Sequence, residues 1–437
     1  MNHETHEMFT NIRRIGRGMI VRGIGGKAYA PALLAGALLV SLCFARAENW
    51  PAWRGPRGDG TSLETNVPTY WSLTSNVVWK TAVPGAGHAS PIVWGDRVFT
   101  VTALLNQEDR VLLCFDRQTG KILWQQTVLH SPLEKIHAEN SYASSSPATD
   151  GEQVYVSFLD GKEFVVAAYD FAGKQLWLVR PGAFDSPHGF SNPPLLFKDK
   201  VILNGSSKGA SCLVALSRAD GRTLWKVPLE NHTLSYSTPL ILELAGRTQM
   251  IVPADMSVAS FDPANGSRHW IINGPSEEFV ASPVYSGRAG LLFISSSYPA
   301  RHLLAIKPDG RGNVTQTHIA WRTTQGAPYV PSPMVAGDYL LTVNNSATPA
   351  FCYEAATGKI LWQEQLGKHH ASPVSANGLV YFLNDNGQVN VIRPGPKFER
   401  VARMEMGEKF YASPAISHGQ IFLRGDQSLF CIGRVAK

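Results

Sequence analysis

Histidines are the side chains in this chain best placed to do chemistry: His88, His137, His188, His369 and His370. Imidazole binds metals, carries protons and hydrogen-bonds ligands near neutral pH. No two of them form HExxH, and no CxxC pair occurs, so the spacing implies no metal site. Gly205-Ser206-Ser207-Lys208-Gly209 fits the GxSxG pattern of hydrolases. That pattern activates a serine only on a sharp strand-to-helix turn. In this chain it falls between two short apolar runs, where Gly and Ser are ordinary turn residues, and no catalytic residue is assigned. The histidines share something else: most stand just before a Ser-Pro step.

Ser-Pro or a close variant recurs at Ser90, Ser146, Pro193, Thr238, Ser282, Ser332, Ser372 and Ser413, which makes eight units. After each Pro come a short apolar run, a Gly- or Asp-containing turn and a second alternating run, the signature of a β-hairpin. A third strand follows, as in LLCFD (112–116) and AFCYE (350–354), then a turn and a strand ending in Trp. These tryptophans are Trp79, Trp124, Trp177, Trp225, Trp270, Trp321 and Trp362. Their spacing of 41 to 53 residues is that of a repeated supersecondary unit. Four short antiparallel strands repeated eight times predict an all-β, eight-bladed β-propeller. The last unit stops after its third strand, while an unassigned strand surrounds Trp79. That N-terminal strand is expected to complete the last blade and close the ring, leaving no sheet edge. The seventh unit carries VARMEM near Met404 where a Trp is expected.

In a propeller the first strand is innermost, so the segment leading into each Ser-Pro step opens at one mouth of the central channel. These segments supply His88, Tyr142, His188 with Phe190, Tyr236, Phe279, Tyr329, His369 with His370, and Phe410 with Tyr411. The polar stretch HAENSYASSS (137–146) adds His137 and Asn140. Symmetry gathers them around the axis, with two outcomes: a ligand or partner pocket, or a plug of mutually packed rings.

The first 47 residues differ in kind. A basic start, an apolar run from Ala30 to Ala45 and an Ala45-Arg46-Ala47 ending read as a secretory signal peptide. The run is short for a membrane span. Removing the segment takes Lys+Arg from 40 to 34 and Asp+Glu from 34 to 32, so the net charge falls from +6 to +2. That gives no reason to expect a nucleic-acid partner. Residues 48–75 form a Trp-, Gly- and Pro-rich segment expected to cross the propeller surface, anchored by Trp50 and Trp53; residues 76–437 make the propeller. Cys114, Cys352 and Cys431 share one repeat position otherwise held by small residues, so core filling is the simple reading; a Cys114–Cys431 bridge is the alternative.

The motifs CFDRQTGKILW (114–124) and CYEAATGKILW (352–362), with the Ser-Pro steps, resemble the pyrroloquinoline-quinone (PQQ) repeat family of β-propellers. The likeness runs from about Trp50 to Arg434. One branch of that family holds PQQ and Ca2+ over the channel mouth in quinoprotein dehydrogenases. The other, BamB and its relatives, consists of scaffolds for outer-membrane protein assembly that hold no cofactor. This chain lacks the adjacent cysteines and the long insertions of the dehydrogenases, and no spacing makes Glu139, Asn140, Asp185 and Asp255 converge on a Ca2+. The expectation is therefore an exported, monomeric, non-catalytic binding or scaffold protein of the bacterial envelope or periplasm. It would have envelope proteins or a small ligand at one face, no cofactor and no metal. The alternative is a PQQ- and Ca2+-dependent oxidoreductase.

Overall fold

Strand alternation and Gly turns fold each repeat into a four-stranded antiparallel sheet. The computed structural model describes residues 47–296 and 298–434, so the signal-peptide segment lies outside the described residues apart from Ala47. Eight sheets result. Blade one consists of Ile92–Trp94, Arg97–Leu104, Asp109–Asp116 and Ile122–His130, and blades two to seven follow in chain order. In blade eight, Ala415–Ser417, Gln420–Arg424 and Ser428–Ile432 are completed by Val77–Ala82. Trp79 lies opposite Cys431 there, so the ring closes through the N-terminal strand as expected. Among the described residues no helix is long and apolar enough to cross a membrane.

The tryptophans join neighbouring blades. Indole Nε1 donates to a backbone carbonyl of the next blade from Trp79 (to Arg117, 2.8 Å), Trp124 (Phe171, 3.0 Å), Trp177 (Arg218, 2.9 Å), Trp225 (Pro263, 3.2 Å), Trp321 (Ala355, 3.1 Å) and Trp362 (Gly395, 3.0 Å). The turn glycine has a second reason to be glycine. Gly120 has φ +73°, and a Cβ there would lie 2.5 Å from the Trp79 ring. The position opposite each Trp must be small, as in Cys114, Ala168, Ala215, Ser260, Ala305, Cys352 and Cys431. The four described cysteines are buried and free, so Cys114 and Cys431 are core filling and not a bridge.

Two seams depart from the pattern. In blade seven Ala402, not Met404, occupies the Trp position opposite Val391; Met404 is two residues on and buried opposite Val389. Blade four has a fifth strand, because Gly312–Asn313 from blade five runs parallel to its outer strand and covers Trp270. Trp270 donates instead to Gln249 Oε1 (2.8 Å), and Gln249 Nε2 passes the link to the Pro308 carbonyl (2.8 Å).

Around the axis, the Ser-Pro serines form a girdle. The backbone N–H of Ser90 donates to Ser146 Oγ at 2.9 Å, and Thr238 donates to Ser282, Ser282 to Ser332, Ser332 to Ser372, Ser372 to Ser413 and Ser413 to Ser90. Pro193, which has neither N–H nor hydroxyl, interrupts it. The Asn192 carbonyl takes over there, accepting from Ser145 and Ser157.

The segment from Glu48 to Val67 crosses one end of this channel. Trp50 exchanges backbone hydrogen bonds with Val93 of blade one, and Pro51 O accepts from Thr149 of blade two. Arg54 Nη2 donates to Pro333 O of blade six, opposite blade two in the ring, so the chain passes over the axis. Trp50 is wholly buried; Trp53 is only half-buried, a weaker anchor than expected.

Candidate functional site

At the other end, the girdle fixes the direction of every side chain leading into it. The residue two positions before each Ser-Pro step points to the axis: His88, Ser144, Ser191, Tyr236, Val280, Val330, His370 and Tyr411. All eight line one cavity of about 400 Å3. Irregular loops add His137, Glu139, Asn140, His188, Glu278, Tyr329 and Asn345 to the wall. Of the residues expected from the sequence, His88, His137, Asn140, His188, Tyr236, Tyr329, His370 and Tyr411 come together there.

Tyr142, Phe190, Phe279 and His369 do not. In the lead-in segments a one-residue offset sends most of these side chains between the blades instead of to the axis, although Tyr329, also three positions before its Ser-Pro step, stays in the wall. Phe190, Phe279 and His369 stand three positions before their Ser-Pro steps and are buried. Phe190 stacks on Phe164 (5.2 Å), and the His369 ring meets Phe382 edge-on (6.3 Å). Tyr142, four positions before, lies under the Arg110 guanidinium at 5.6 Å. Ser144, Ser191, Val280 and Val330 escape a reading that weights aromatic and imidazole groups above a constant register. Glu139, Glu278 and Asn345 sit on loops whose paths no repeat specifies.

The cavity wall is lopsided. Blades seven, eight and one contribute a cluster in which Tyr411 lies 4.6 Å from the rings of both His370, met edge-on, and His88, tilted at 51°. Asp385 holds His370 by its backbone N–H (2.8 Å) and by Nδ1 (2.9 Å). Burial, then the charges of His370 and Arg424, push His88 down to about 4, so it is a neutral imidazole at neutral pH. Over blades two and three, the His137 and His188 rings are 5.7 Å apart, and His188 Nδ1 lies 3.3 Å from Asn140 Oδ1. Burial lowers the pKa of His188 as well. Across the cavity, Tyr329 Oη donates to Glu278 Oε1 (3.3 Å), and burial raises the Glu278 carboxyl above its usual range. The result is a cup with aromatic and imidazole faces and one weakened acid.

Other candidates fall away from it. Asp185 pairs with Lys162 at 3.0 Å. Asp255 caps the backbone of Glu230 and Asn231 beside a larger rim hollow of about 740 Å3. In the GxSxG-like turn the serine in the nucleophile position is Ser207; it is buried and its Oγ accepts the Gly209 N–H at 3.3 Å within the turn, so it is no exposed nucleophile. Among the described residues no three His, Cys, Asp or Glu side chains come together to hold a metal ion.

A family profile described as "Outer membrane protein assembly factor BamB" matches residues 69–177 and 162–395. The chain belongs to the PQQ-repeat β-propeller family. BamB from Moraxella catarrhalis superposes with a TM-score of 0.59 at 14% identity, over 81% of this chain and 98% of that one. A europium-containing methanol dehydrogenase gives 0.53 at 11% identity, over 87% and 90%. Quinohemoprotein alcohol dehydrogenase ADHIIG from Pseudomonas putida HK5 gives 0.50 at 12%, over 89% and 81%. At these identities the likeness is one of fold. No curated protein sequence matches the chain.

Proposed function

We propose that this PQQ-repeat propeller is an exported binding protein of the bacterial cell envelope, scaffold-like in the manner of BamB, with the axial cup as its binding site. One observation carries the reading: side chains from all eight blades converge on a single cavity while the chain itself covers the opposite channel end. Envelope proteins, including those of outer-membrane protein assembly, or a small ligand are the expected occupants. The signal-like N-terminus supports export.

The PQQ- and Ca2+-dependent alternative calls for a Ca2+ site beside the quinone, and Ca2+ takes six to eight oxygen ligands. The cup offers two carboxylates, Glu139 and Glu278, on different loops, with Glu278 already bonded to Tyr329. That donor set does not fit a Ca2+-bound quinone.

Photocrosslinking tests the binding reading. A crosslinker in place of Tyr411 is expected to capture envelope proteins in cells, whereas one at the exposed outer-strand residue Leu123 captures none. Reconstitution with PQQ and Ca2+ is expected to yield no dye reduction with alcohols. Alcohol-dependent turnover lost on Tyr411→Ala would replace this reading with the enzymatic one.

A further inference from the structure

Arg424 ends the second strand of blade eight and is 1% exposed. None of its three guanidinium nitrogens has a hydrogen-bond partner among the described residues. Glu408 and Asp426 are close enough to act on it through their charge, but neither accepts a hydrogen bond from it: Glu408 accepts the backbone N–H groups of Gln427 and Ser428 and lies 3.4 Å from Lys80. A buried guanidinium with none of its donors hydrogen-bonded is unfavourable even with acids nearby. Burial lowers its pKa only to about 10, so it stays charged at neutral pH.

Register shows where the group is directed. Pairing of first and second strands puts Val101, Ser157, Asn204, Pro253, Ser295, Val343 and Leu383 at the equivalent position of the other seven blades, all uncharged. The polar ones reach the lead-in of the following blade: Ser157 to Asn192 O, Asn204 to Ser237 O and Ser295 to Pro328 O. In blade eight the following lead-in is Gly87–Ala89, which carries His88 into the cup. The charge of Arg424 acts on the His88 ring, in keeping with that placement.

We propose that the seam between blades eight and one is an anion subsite of the cup, in which Arg424, beside His88, receives the oxyanion of the bound ligand. This rests on the cup being the binding site, and it narrows the ligand to one with a carboxylate or phosphoryl group. Arginine suits such a group because its planar donor fork matches two oxygens at once. The opposite wall, with Val280, Val330 and Tyr236, offers apolar and aromatic surface to the rest of the molecule.

Calorimetric titration of the purified protein with benzoate, phenyl phosphate and neutral benzamide tests this. One or both anions are expected to bind at least ten-fold tighter than benzamide; the tighter one tells carboxylate from phosphoryl recognition. Arg424→Met is expected to weaken the anion about thirty-fold, the loss typical of removing one partner of a buried charge pair, and to leave benzamide unchanged. Arg424→Lys keeps part of the preference. Without probe, Arg424→Met should melt no lower than the parent, because a buried guanidinium without hydrogen-bond partners has been removed. Benzamide binding as tightly as the anions, unchanged anion affinity in Arg424→Met, or no binding of any probe overturns the subsite. Crosslinking from Tyr411 would still stand in each of those cases, so the two readings fail separately.

Discussion

The two ends of the channel are built from opposite materials. The end covered by residues 48–67 is held by backbone groups and buried charge: Glu64 is 1% exposed and accepts the N–H groups of Glu48, His418 and Gly419. Its bonds reach the innermost strands of blades seven and eight, as Ser62 does to Ser375 (2.7 Å) and Ser417 does to Glu48 O (2.7 Å). The cup at the other end is built from side chains on lead-in loops, several held by side-chain hydrogen bonds, as His370 is by Asp385, Tyr236 by Ser186 and Tyr329 by Glu278. Hydrogen-bonded backbone contributes to folding; side chains that face open volume are available to a ligand. The contrast between the ends separates stability from binding.

Removing the Glu64 carboxylate gives the largest effect. Glu64→Ala leaves three backbone donors without their acceptor, and each buried orphan costs about 1–3 kcal/mol. A loss of about 3–5 kcal/mol in urea unfolding is expected, with probe affinity at the cup unchanged in the folded protein. Loss of cup binding at full folding would show that the two ends are coupled.

Acid should act through the histidines around the cup. His369 is wholly buried, its Nδ1 lies 3.0 Å from Gly367 O, and Nε2 has no partner among the described residues. Burial pushes it down to about 4 from an ordinary 6.5. Between those values the unfolded chain takes up a proton that the folded protein does not. Stability is therefore full above pH 6.5 and falls as the pH drops toward 4, by up to about 3 kcal/mol from this residue. His369→Leu should flatten that slope, measured as the difference in urea midpoints at about pH 7.5 and about pH 4.5. An unchanged slope would assign the acid response to other groups.

The repeat made most of the fold legible in the sequence. Trp spacing set the blade count, and the missing outer strand of blade eight pointed to Val77–Ala82. The 51-residue gap between Trp270 and Trp321 held the fifth strand of blade four, but a longer spacing alone does not say where the extra chain lies. The cup was half legible. Its rule, two residues before each Ser-Pro step, was written in the sequence, yet Phe190, Phe279 and His369 looked equally good one position earlier, and residue type does not say why Tyr329 at that same position reaches the cup while they do not. Glu278 and Asn345 were not legible, since loops carry no period. Arg424 reads as one more strand-end charge until the register against Ser157 and Asn204 is known.

The smallest effect decides between the two outcomes open for the ring of rings, pocket or plug. Tyr411 touches both His88 and His370 at 4.6 Å, so in a packed plug it would be the keystone. Truncating a buried core aromatic costs about 3–5 kcal/mol. Tyr411 is instead only partly buried and lines open volume, and its contacts with His88 and His370 are tilted and edge-on ring contacts. Tyr411→Ala should therefore cost about 1 kcal/mol in urea unfolding, near the ordinary range for partly exposed positions, while lowering benzoate or phenyl phosphate affinity severalfold. A loss of about 3 kcal/mol or more would mean that the rings hold each other and not a ligand. Because His88 is kept neutral and His370 is fixed by Asp385, neither ring needs Tyr411 to satisfy a charge. Its removal leaves the wall standing and the ligand without its middle face.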